Sequence, residues 1–451
     1  MPATENKLFV FAHLDGDWVP AGQLTLTEDG ARLEASSFSY GLRYLERPTA
    51  IEIDPVTLSL NDRASIRGKA LFPAEGLRLS GGIRDAAPDA WGRRVIEAKL
   101  KVPGNSLPES EYLIHAGSQR VGALDIRRTR SDDPVRGYGT WDSLQYLMDA
   151  AQKIDDGEPI PANLAEIFSQ GSALGGARPK ANVRDENQVL WLAKFVSRND
   201  SLDVPVIEMA TMRLAAEAGL NVPAVRLVTL GNRAVMLIRR FDRYWAAVGK
   251  VPENLMTTEP GKGLVEKRLP FVSGLTLLAC DEMDSPSKSY GDLAHAIRRY
   301  CHPSFIREDN RELYGRLVFN VLVSNDDDHL RNHGFFWDPR VGGWRLSPLY
   351  DVMPRATHAS ERQLHLGVGP RGRLATLDNA FAGREVFTLS ADEATAVIGR
   401  VWEAVRKWKD RFAAWGVPAQ QIEKVAPAFR ALEHVASQEL LTAIAGNSSP
   451  S

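Results

Sequence analysis

The sequence predicts an α+β protein whose N-terminal part is mainly β and whose C-terminal part is mostly helical. Short apolar segments alternate with turn signals over residues 7–60, which is typical of β-hairpins. From about residue 260 onward, apolar residues instead recur at helical spacing. Between these regions a strand, a helix and a pair of strands follow one another. This order predicts three parts, at residues 1–130, 131–245 and 246–445.

The first part, residues 1–130, is predicted to form strands joined by tight turns. The pairs Asp15-Gly16 and Asp29-Gly30 both stand between alternating segments. Asp-Gly pairs in this setting favour the turns of β-hairpins. A helix is predicted from about Pro88 to Leu100, and a further strand-like stretch ends near residue 128.

The second part, residues 131–245, is predicted to start with a polar linker and a helix over about 141–154. A glycine-rich turn then leads into the strand-like run QVLWLAKFV, followed by the helical segment VPVIEMATMRLAAEAGL. Gly219 marks the end of that helix. Two more strand-like runs, AVRLVTL and RAVMLIRRF, complete this part.

The third part, residues 246–445, is predicted to be mostly helical. The run LYGRLVFNVLV places its aliphatic residues on one face of a helix. The last long helix is predicted to begin at a capping box formed by Ser390 and Glu393 and to end at Gly416. We expect its three tryptophans to be core residues, because aromatic residues at helical spacing usually pack in a core.

The composition is typical of a globular protein and makes some classes of protein less favoured. The chain has 451 residues, 44% of them hydrophobic and 25% charged, with a formal net charge of −2. Such a near-neutral charge predicts no general attraction to nucleic acid. The two cysteines, Cys280 and Cys301, lack the spacing of a metal site, and so few cysteines are typical of a reducing compartment. No signal peptide or membrane-spanning segment is predicted, so we expect a cytoplasmic protein without a membrane partner.

The segment NDDDHLRNHGFFWDPRVGGWRLSPLYDV, residues 325–352, combines groups that can carry chemistry. Three carboxylates, a histidine and an asparagine follow an apolar helix, and two strand-like runs then lead to Asp351. A polar helix end would explain the first half but not the second. Asp327 and Asn332 have the five-residue spacing of the catalytic base and a metal ligand in protein kinases, where a hairpin returns to a metal-binding aspartate. Such hard oxygen ligands suit Mg²⁺.

A lysine and a glutamate upstream are predicted to hold a nucleotide. Lys194 lies in the apolar run LWLAKFV, and Glu208 lies near the start of the following helix. Taken alone, each of these two residues is more simply interpreted as a charged side chain exposed to solvent. The order of glycine-rich turn, lysine strand, glutamate helix, Asp-x4-Asn, hairpin and aspartate instead favours the ion pair that binds phosphates in kinases.

Two further segments complete the predicted nucleotide site. The glycine-rich turn before the lysine strand would lie over the phosphates, because small residues let backbone N–H groups approach phosphate oxygens. Glycines also mark turns in every class of protein, so this signal is weak alone. The run IRRF at 238–241 would be the hinge whose backbone meets adenine. The residues concerned are Gly171, Gly175, Gly176 and Lys180 in the turn, and Arg239 to Phe241 in the hinge.

His329 and His333 stand four residues apart beside carboxylates, so a zinc hydrolase is an alternative. The zinc-protease pattern requires His-Glu-x-x-His on one helix. This chain has His-Leu-Arg-Asn-His, which lacks the glutamate and runs into a strand. The kinase interpretation is therefore favoured.

With these motifs the sequence resembles the HipA-like kinases, serine/threonine kinases of bacterial toxin–antitoxin systems. The resemblance covers nearly the whole chain. It rests on FSYGLRYLERPTAIEI and VGALDI in the first part, GGARPKA, AEAGLNVPAVRLV and RRFDR in the second, and DDHLRN and SPLYDV in the third. It implies a two-lobed protein-kinase-like fold with the β-rich N-terminal module of that family and a mostly helical C-lobe.

The resemblance also implies a role for each matching residue. Asp327 would be the catalytic base and His329 would support the catalytic loop. Asn332 and Asp351 would bind Mg²⁺. The residues implied to bind ATP are Gly175, Gly176, Ala177, Lys180, Lys194, Glu208, Arg239 and Phe241.

One position departs from the family pattern. The autophosphorylated serine of this family often lies three residues before the glycine of the Gly-Ala-x-x-Lys stretch, where this chain has Ala173. Ser172 lies one residue earlier. Either Ser172 is autophosphorylated in a shifted loop, or the chain lacks this switch.

The resemblance implies partners as well. Family members phosphorylate aminoacyl-tRNA synthetases and pair with a helix-turn-helix antitoxin of the HipB type, through which nucleic acid would be reached indirectly. Two alternatives stay open at this point. The chain could be a kinase of small molecules, since the same catalytic elements serve aminoglycoside- and choline-type kinases, or a catalytically silent module that binds an antitoxin.

Overall fold

The computed structural model describes residues 3–135, 139–158, 177–198 and 200–447. It contains both helices and strands, as predicted for an α+β protein. The chain divides into two compact units. The first unit comprises Met1–Asn199, Leu230–Cys280 and Phe336–Gly342, and the second comprises Asp200–Thr229, Asp281–Phe335 and Gly343–Ser451. The division into three parts at residues 130 and 245 stays a prediction.

A four-stranded antiparallel sheet forms the start of the first unit. The turn between its first two strands uses Asp15 and Gly16 at φ values of 49° and 103°, the left-handed conformation that a two-residue hairpin turn requires. The predicted hairpins are therefore confirmed. The strands in spatial order are Arg32–Tyr40, Asp17–Asp29, Thr4–Leu14 and Leu124–Arg127.

Short helices pack beside this sheet. Leu24 and Phe38 of the sheet share one hydrophobic core with Ile83 of a short helix. The helix predicted from Pro88 begins at Ala90, because the Asp89 side chain accepts a 2.6 Å hydrogen bond from the backbone N–H of Gly92 and caps it. Helices described in this unit are Leu42–Leu45, Arg63–Ile66, Gly81–Asp85, Ala90–Leu100, Glu109–His115, Leu144–Asp155 and Gly274–Leu277.

A second sheet of the first unit carries the two lysines singled out above. Antiparallel pairing places Lys180 directly opposite Lys194. Lys180 was expected in the turn but is the first residue of a strand, because its backbone continues this pairing. Adjacent strands of this sheet are Gly139–Thr140, Lys180–Arg184, Leu190–Lys194 and Arg233–Arg239. Strands of the first unit outside this sheet include Arg243–Ala246, Val265–Arg268 and Phe271–Ser273.

The second unit is mostly helical, and it includes most of the helices predicted after residue 260. Its helix Ile306–Val323 was expected to bury one face, but every residue from Leu313 to Val323 is buried. The C-terminal part of this helix is therefore enclosed by its neighbours on all sides. Helices described in this unit are Val204–Glu217, Tyr290–Tyr300, Ile306–Val323, Leu377–Ala382, Ala391–Val405, Trp408–Ala414, Ala419–Val425 and Gln438–Asn447. The strand Gly343–Leu346 lies in this unit, whereas the strands Val225–Leu230 and Gly334–Asp338 have residues in both units.

The last long helix differs from the prediction. The Ser390 and Glu393 capping box is present, but the helix ends at Val405 and a second helix begins at Trp408. The break lets Trp408 stack face to face on Phe429, with ring centroids 3.9 Å apart. The three tryptophans of this region are half-buried rather than fully enclosed.

Candidate active site

The loop at residues 324–332 begins at the buried C-terminal end of the helix Ile306–Val323. Ser324 adopts a left-handed conformation, with φ of 50°, which terminates the helix. The N–H of Asn325 then returns to the carbonyl of Asn320 at 3.0 Å, and the Ser324 hydroxyl donates to the carbonyl of Ala428 at 2.7 Å. A buried helix end thus fixes the start of the loop.

Asp327 lies at the exposed side of this loop. Its side chain is 59% exposed, and its Oδ1 lies 3.9 Å from Nε2 of His329. Asn332 lies at the end of a 3₁₀ turn and is buried. Its Nδ2 donates a 2.8 Å hydrogen bond to the backbone carbonyl of Asp327. The side-chain amide of Asn332 therefore links the end of the loop to the backbone of Asp327, and its Oδ1 is the oxygen atom that could bind a cation.

The chain returns toward this loop through a hairpin. The N–H of Ser347 donates to the carbonyl of Gly334 at 2.9 Å, and the N–H of Gly342 donates to the carbonyl of Asp338 at 2.8 Å at the turn. The predicted hairpin between Asn332 and Asp351 is thereby confirmed.

Asp351 follows the hairpin in a conformation that non-glycine residues seldom adopt, with φ of 60°. Its neighbours hold this segment against the loop, because the Tyr350 hydroxyl donates to the carbonyl of Arg331 at 2.9 Å. The N–H of Arg355 also donates to the carbonyl of Ser324 at 3.2 Å. The second unit thus brings the segment of Asp351 alongside the loop of Asp327 and Asn332.

A buried carboxylate inside the loop was missed by the sequence reasoning. Asp328 is 1% exposed, and its two oxygens accept hydrogen bonds of 2.7 Å from the Tyr290 hydroxyl and the N–H of His365. Burial raises the pKa of the Asp328 carboxyl to about 7, against the effect of these hydrogen bonds. The three consecutive aspartates were the only signal in the sequence, and they did not distinguish the buried one.

The two histidines His329 and His333 differ in their exposure to solvent. His333 is buried, with its ring edge-on to Tyr290 at 5.3 Å, and burial together with Arg316 lowers its pKa to about 3. His329 is one-third exposed. Among the residues that the structure describes, no group of three His, Cys, Asp or Glu side chains could hold a metal ion.

The residues predicted to bind the nucleotide phosphates lie in different units. Lys194 is half-buried at the end of its strand in the first unit, whereas Glu208 is buried in a helix of the second unit. Their ion pair stays a prediction. Lys180 is buried, and its Nζ lies 2.8 Å from Oδ2 of Asp89. Asp89 thus neutralises this ammonium group inside the first unit, and a contact of Lys180 with the nucleotide stays a prediction.

The predicted hinge follows the strand Arg233–Arg239. The guanidinium of Arg239 donates to the carbonyl of Thr258. Phe241 is half-buried and contacts Phe271, with ring centroids 6.1 Å apart. Ala177, at the end of the glycine-rich segment, is exposed. The other positions predicted in that segment lie outside the described residues: Gly171, Ser172, Ala173, Gly175 and Gly176.

Comparison with known proteins identifies the family. A sequence profile described as the HipA-like C-terminal domain matches residues 172–409, more than half of the chain. The chain belongs to the HipA-like family. The matched region includes the lysine strands, the loop of Asp327 and the segment of Asp351.

Curated relatives of this HipA-like chain carry kinase names. A protein of Haemophilus influenzae named "Putative kinase" is 26% identical over 246 residues, which are 51% of this chain and 66% of that protein. A protein of Sinorhizobium fredii named "Putative kinase Y4mE" is 27% identical over 176 residues, 38% of this chain and 37% of that protein. The chain thus spans less than two thirds of the length of both relatives.

A solved structure shows the same fold. The HipA chain of Shewanella oneidensis MR-1, determined in a complex with HipB and operator DNA, superimposes with a TM-score of 0.60 at 17% sequence identity. The match covers 97% of this chain and 94% of that one. In the described part of the HipA-like chain, no helix combines the length and hydropathy needed to cross a membrane.

Proposed function

We propose that this HipA-like chain is an ATP- and Mg²⁺-dependent serine/threonine protein kinase. The observation that carries the proposal is the arrangement in the second unit. Asp327 is exposed on a loop whose backbone Asn332 holds, and the segment of Asp351 is hydrogen-bonded alongside that loop. An exposed carboxylate beside oxygen ligands on a fixed backbone is what transfer of a phosphoryl group requires.

Asp327 is the proposed catalytic base. It would orient the hydroxyl of an acceptor serine or threonine and take its proton as the hydroxyl oxygen attacks the γ-phosphorus of ATP. The bond between the γ-phosphorus and the β–γ bridging oxygen breaks, and ADP leaves. His329, with Nε2 3.9 Å from Oδ1 of Asp327, would help to orient that carboxylate.

Asn332 and Asp351 are the proposed Mg²⁺ ligands. Their amide and carboxylate oxygens are the ligand types that Mg²⁺ prefers, and Mg²⁺ commonly takes only one or two protein ligands together with phosphate oxygens and water. Asn332 fits this role because its Nδ2 is committed to the carbonyl of Asp327. When bound, Mg²⁺ would neutralise negative charge on the transferred phosphoryl group.

The nucleotide-binding residues are proposed from the sequence order and from the family. Lys194, braced by Glu208, would hold the α- and β-phosphates. Backbone groups of the Arg239–Phe241 hinge would contact adenine. The glycine-rich segment with Gly175, Gly176 and Ala177 would cover the phosphates, and Ser172 is its candidate autophosphorylation site. Lys180, which forms a buried ion pair with Asp89, belongs to this proposed set as well.

The proposed partners follow from the family as well. The substrate would be a component of translation such as an aminoacyl-tRNA synthetase. The HipA of Shewanella oneidensis was solved with HipB and operator DNA, which supports a HipB-like antitoxin as partner of this chain. Contact with DNA would then be made through that antitoxin, in a cytoplasmic setting. A small helix-turn-helix protein encoded beside this chain would support this proposal.

The experiment that tests the activity compares single carboxylate variants. Purified full-length protein is incubated with Mg²⁺ and γ-labelled ATP, with dephosphorylated casein as a protein acceptor and aminoglycosides and choline as small-molecule acceptors. Asp327→Asn should lose phosphate transfer, whereas the matched control Asp410→Asn, at an exposed aspartate of the helix Trp408–Ala414, should retain it.

The outcome separates the three candidate functions. Label in casein or in the chain itself that depends on Asp327 supports a protein kinase. Label found only in small molecules would replace this function with that of a small-molecule kinase. Absence of both transfer and Mg²⁺-ATP binding, with retained binding of an antitoxin, would identify a silent binding module.

A further inference from the structure

A chain of buried side-chain hydrogen bonds lies beneath the loop of Asp327. Nδ2 of Asn325 donates to Oδ1 of Asn320 at 3.1 Å, and Nδ2 of Asn320 donates to the Tyr290 hydroxyl at 2.8 Å. The Tyr290 hydroxyl in turn donates to Oδ2 of Asp328 at 2.7 Å, and the N–H of His365 donates to Oδ1 at 2.7 Å. This group of five residues is called the Tyr290–Asp328 network below.

The network joins elements that are far apart in the sequence. Tyr290 is the first residue of the helix Tyr290–Tyr300, and Asn320 lies in the last turns of Ile306–Val323. His365 belongs to a loop in which the N–H of Leu364 donates to the carbonyl of Arg373 at 3.0 Å. Asp328 is thus the point at which two helices, the loop of Asp327 and the segment after Asp351 meet.

The network also fixes the backbone next to Asp327 from several sides. Asn332 holds the carbonyl of Asp327, and Nε2 of His333 lies 3.3 Å from the carbonyl of Asp328. The carboxylate of Asp328 is held at both oxygens. An exposed carboxylate can be presented in one orientation only if the backbone that carries it cannot shift, and a misplacement of about 1 Å can reduce a rate by ~100-fold.

Hydrophobic packing alone does not explain this network. A buried carboxylate is costly unless it is fully hydrogen-bonded, and an apolar residue would fill the same space at less cost. Tyr290 also carries a hydroxyl that Phe would lack, and that hydroxyl both accepts from Asn320 and donates to Asp328. The polar atoms therefore serve the placement of the loop.

We propose that Asp328 is a positioning residue for phosphoryl transfer, and that Tyr290 and His365 hold its carboxylate so that the adjacent Asp327 faces the acceptor hydroxyl. This inference rests on the proposed kinase function. Asp328 itself touches neither ATP nor the acceptor in this mechanism. Loosening the network should therefore slow the chemical step and leave nucleotide affinity nearly unchanged.

The test uses two tyrosines of the second unit. Tyr290→Phe removes a hydroxyl of the network. Tyr314→Phe removes a hydroxyl that is equally buried but has no hydrogen-bond partner among the described residues, so it is the matched control. We expect Tyr290→Phe to lower kcat at least about tenfold with a KM for ATP within about twofold, and Tyr314→Phe to leave both unchanged.

Substitution of the carboxylate should give a graded result. Asp328→Asn keeps one acceptor oxygen and should lose less activity than Asp328→Ala, which keeps none. Asp309→Asn separates stability from catalysis, since it weakens the buried pair of Asp309 with Arg345 elsewhere in the unit. It should lower the melting temperature without a comparable loss of kcat.

Hydrogen exchange provides a readout that does not depend on turnover. Backbone amides of residues 326–333 and 363–367 should exchange faster in Tyr290→Phe than in Tyr314→Phe. If the wild-type chain transfers phosphate but Tyr290→Phe matches Tyr314→Phe in kcat and in exchange, the positioning role is refuted and the kinase function stands. A wild-type chain that transfers no phosphate overturns the kinase function, and the positioning role with it.

Discussion

Asp89 and Lys180 form a buried ion pair in which Oδ2 and Nζ are 2.8 Å apart and both side chains are at most 5% exposed. Asp89 also caps the helix Ala90–Leu100, and the indole N–H of Trp91 donates to the carbonyl of Lys180 at 2.9 Å. The helix start is thereby fixed to the strand that begins with Lys180. Both partners lie in the first unit.

Removal of one partner of this pair should be strongly destabilising. We expect Lys180→Met to lower the free energy of unfolding by ~3–5 kcal/mol, because the carboxylate of Asp89 would be left buried without its cation. Urea denaturation checks this value. Lys153→Met, which breaks a more exposed pair with Glu158, should cost less than ~1 kcal/mol. Equal effects of the two variants would show that Asp89 does not need Lys180.

A second buried carboxylate should make the first unit sensitive to acid. Burial opposes ionisation of Asp242, but Arg240 and Arg243 hold its pKa below the usual range. Because the folded-state pKa is depressed, this stabilisation is present above the pKa of the unfolded chain and is lost as the pH falls through the folded value. Asp242→Asn should therefore destabilise the protein at pH 7. The difference in unfolding free energy from wild type should shrink below pH 4, and a constant difference would contradict the assignment.

Asp328 should show the opposite dependence. Its pKa is raised to about 7, so its contribution to stability is fully present below the unfolded value near 3.8 and is lost as the pH rises through about 7. The unfolding free energy of wild type relative to Asp328→Asn should therefore decrease from pH 4 to pH 8. The groups facing Asp328 include Tyr290, His333 and His365. Because these groups are present in both wild type and Asp328→Asn, their own titration largely cancels in the difference between the two unfolding free energies. If the unfolding free energies of wild type and Asp328→Asn changed in parallel with pH, the raised pKa of Asp328 would be contradicted.

Loss of a proposed metal ligand should change the requirement for Mg²⁺. Asp351→Asn should raise the Mg²⁺ concentration for half-maximal activity ~10–100-fold, because a carboxylate ligand is replaced by a neutral amide. A magnesium titration of phosphate transfer, with calorimetry of Mg²⁺-ATP binding, measures this shift. Asp410→Asn, on an exposed helix surface, serves as control. An unchanged titration for Asp351→Asn would remove it from the metal site.

The capping box of the helix Ala391–Val405 should contribute to stability. The Ser390 hydroxyl accepts a 3.2 Å hydrogen bond from the N–H of Glu393, whose side chain accepts one of 3.0 Å from the N–H of Ser390. Ser390→Ala should cost ~1 kcal/mol in thermal unfolding. The exposed Ser360→Ala should be neutral, and a similar loss for both would show that the cap is not needed.

Local signals predicted most elements of the fold. Asp15-Gly16 predicted a turn, Gly219 predicted the end of a helix, and Ser390 with Glu393 predicted the start of a helix. Each of these signals depends on backbone conformation or on hydrogen bonds within a few residues. The break before Trp408 was not predictable in this way. It depends on stacking against Phe429, which lies 21 positions further along the chain.

At the candidate site, too, the sequence predicted local patterns but not the contacts between distant residues. The spacing of Asp327, Asn332 and Asp351 is a property of the sequence alone, and the match to the HipA-like family depends on such motifs. The sequence does not distinguish the three adjacent aspartates from one another. Only tertiary packing decides that Asp327 is exposed while Asp328 is buried against Tyr290. Likewise, the sequence predicts Lys180 as a nucleotide ligand, but only the tertiary structure shows that it pairs with Asp89. Burial and charge pairing depend on residues distant in sequence, so the sequence determined which groups are available and the tertiary structure decided how each one is used.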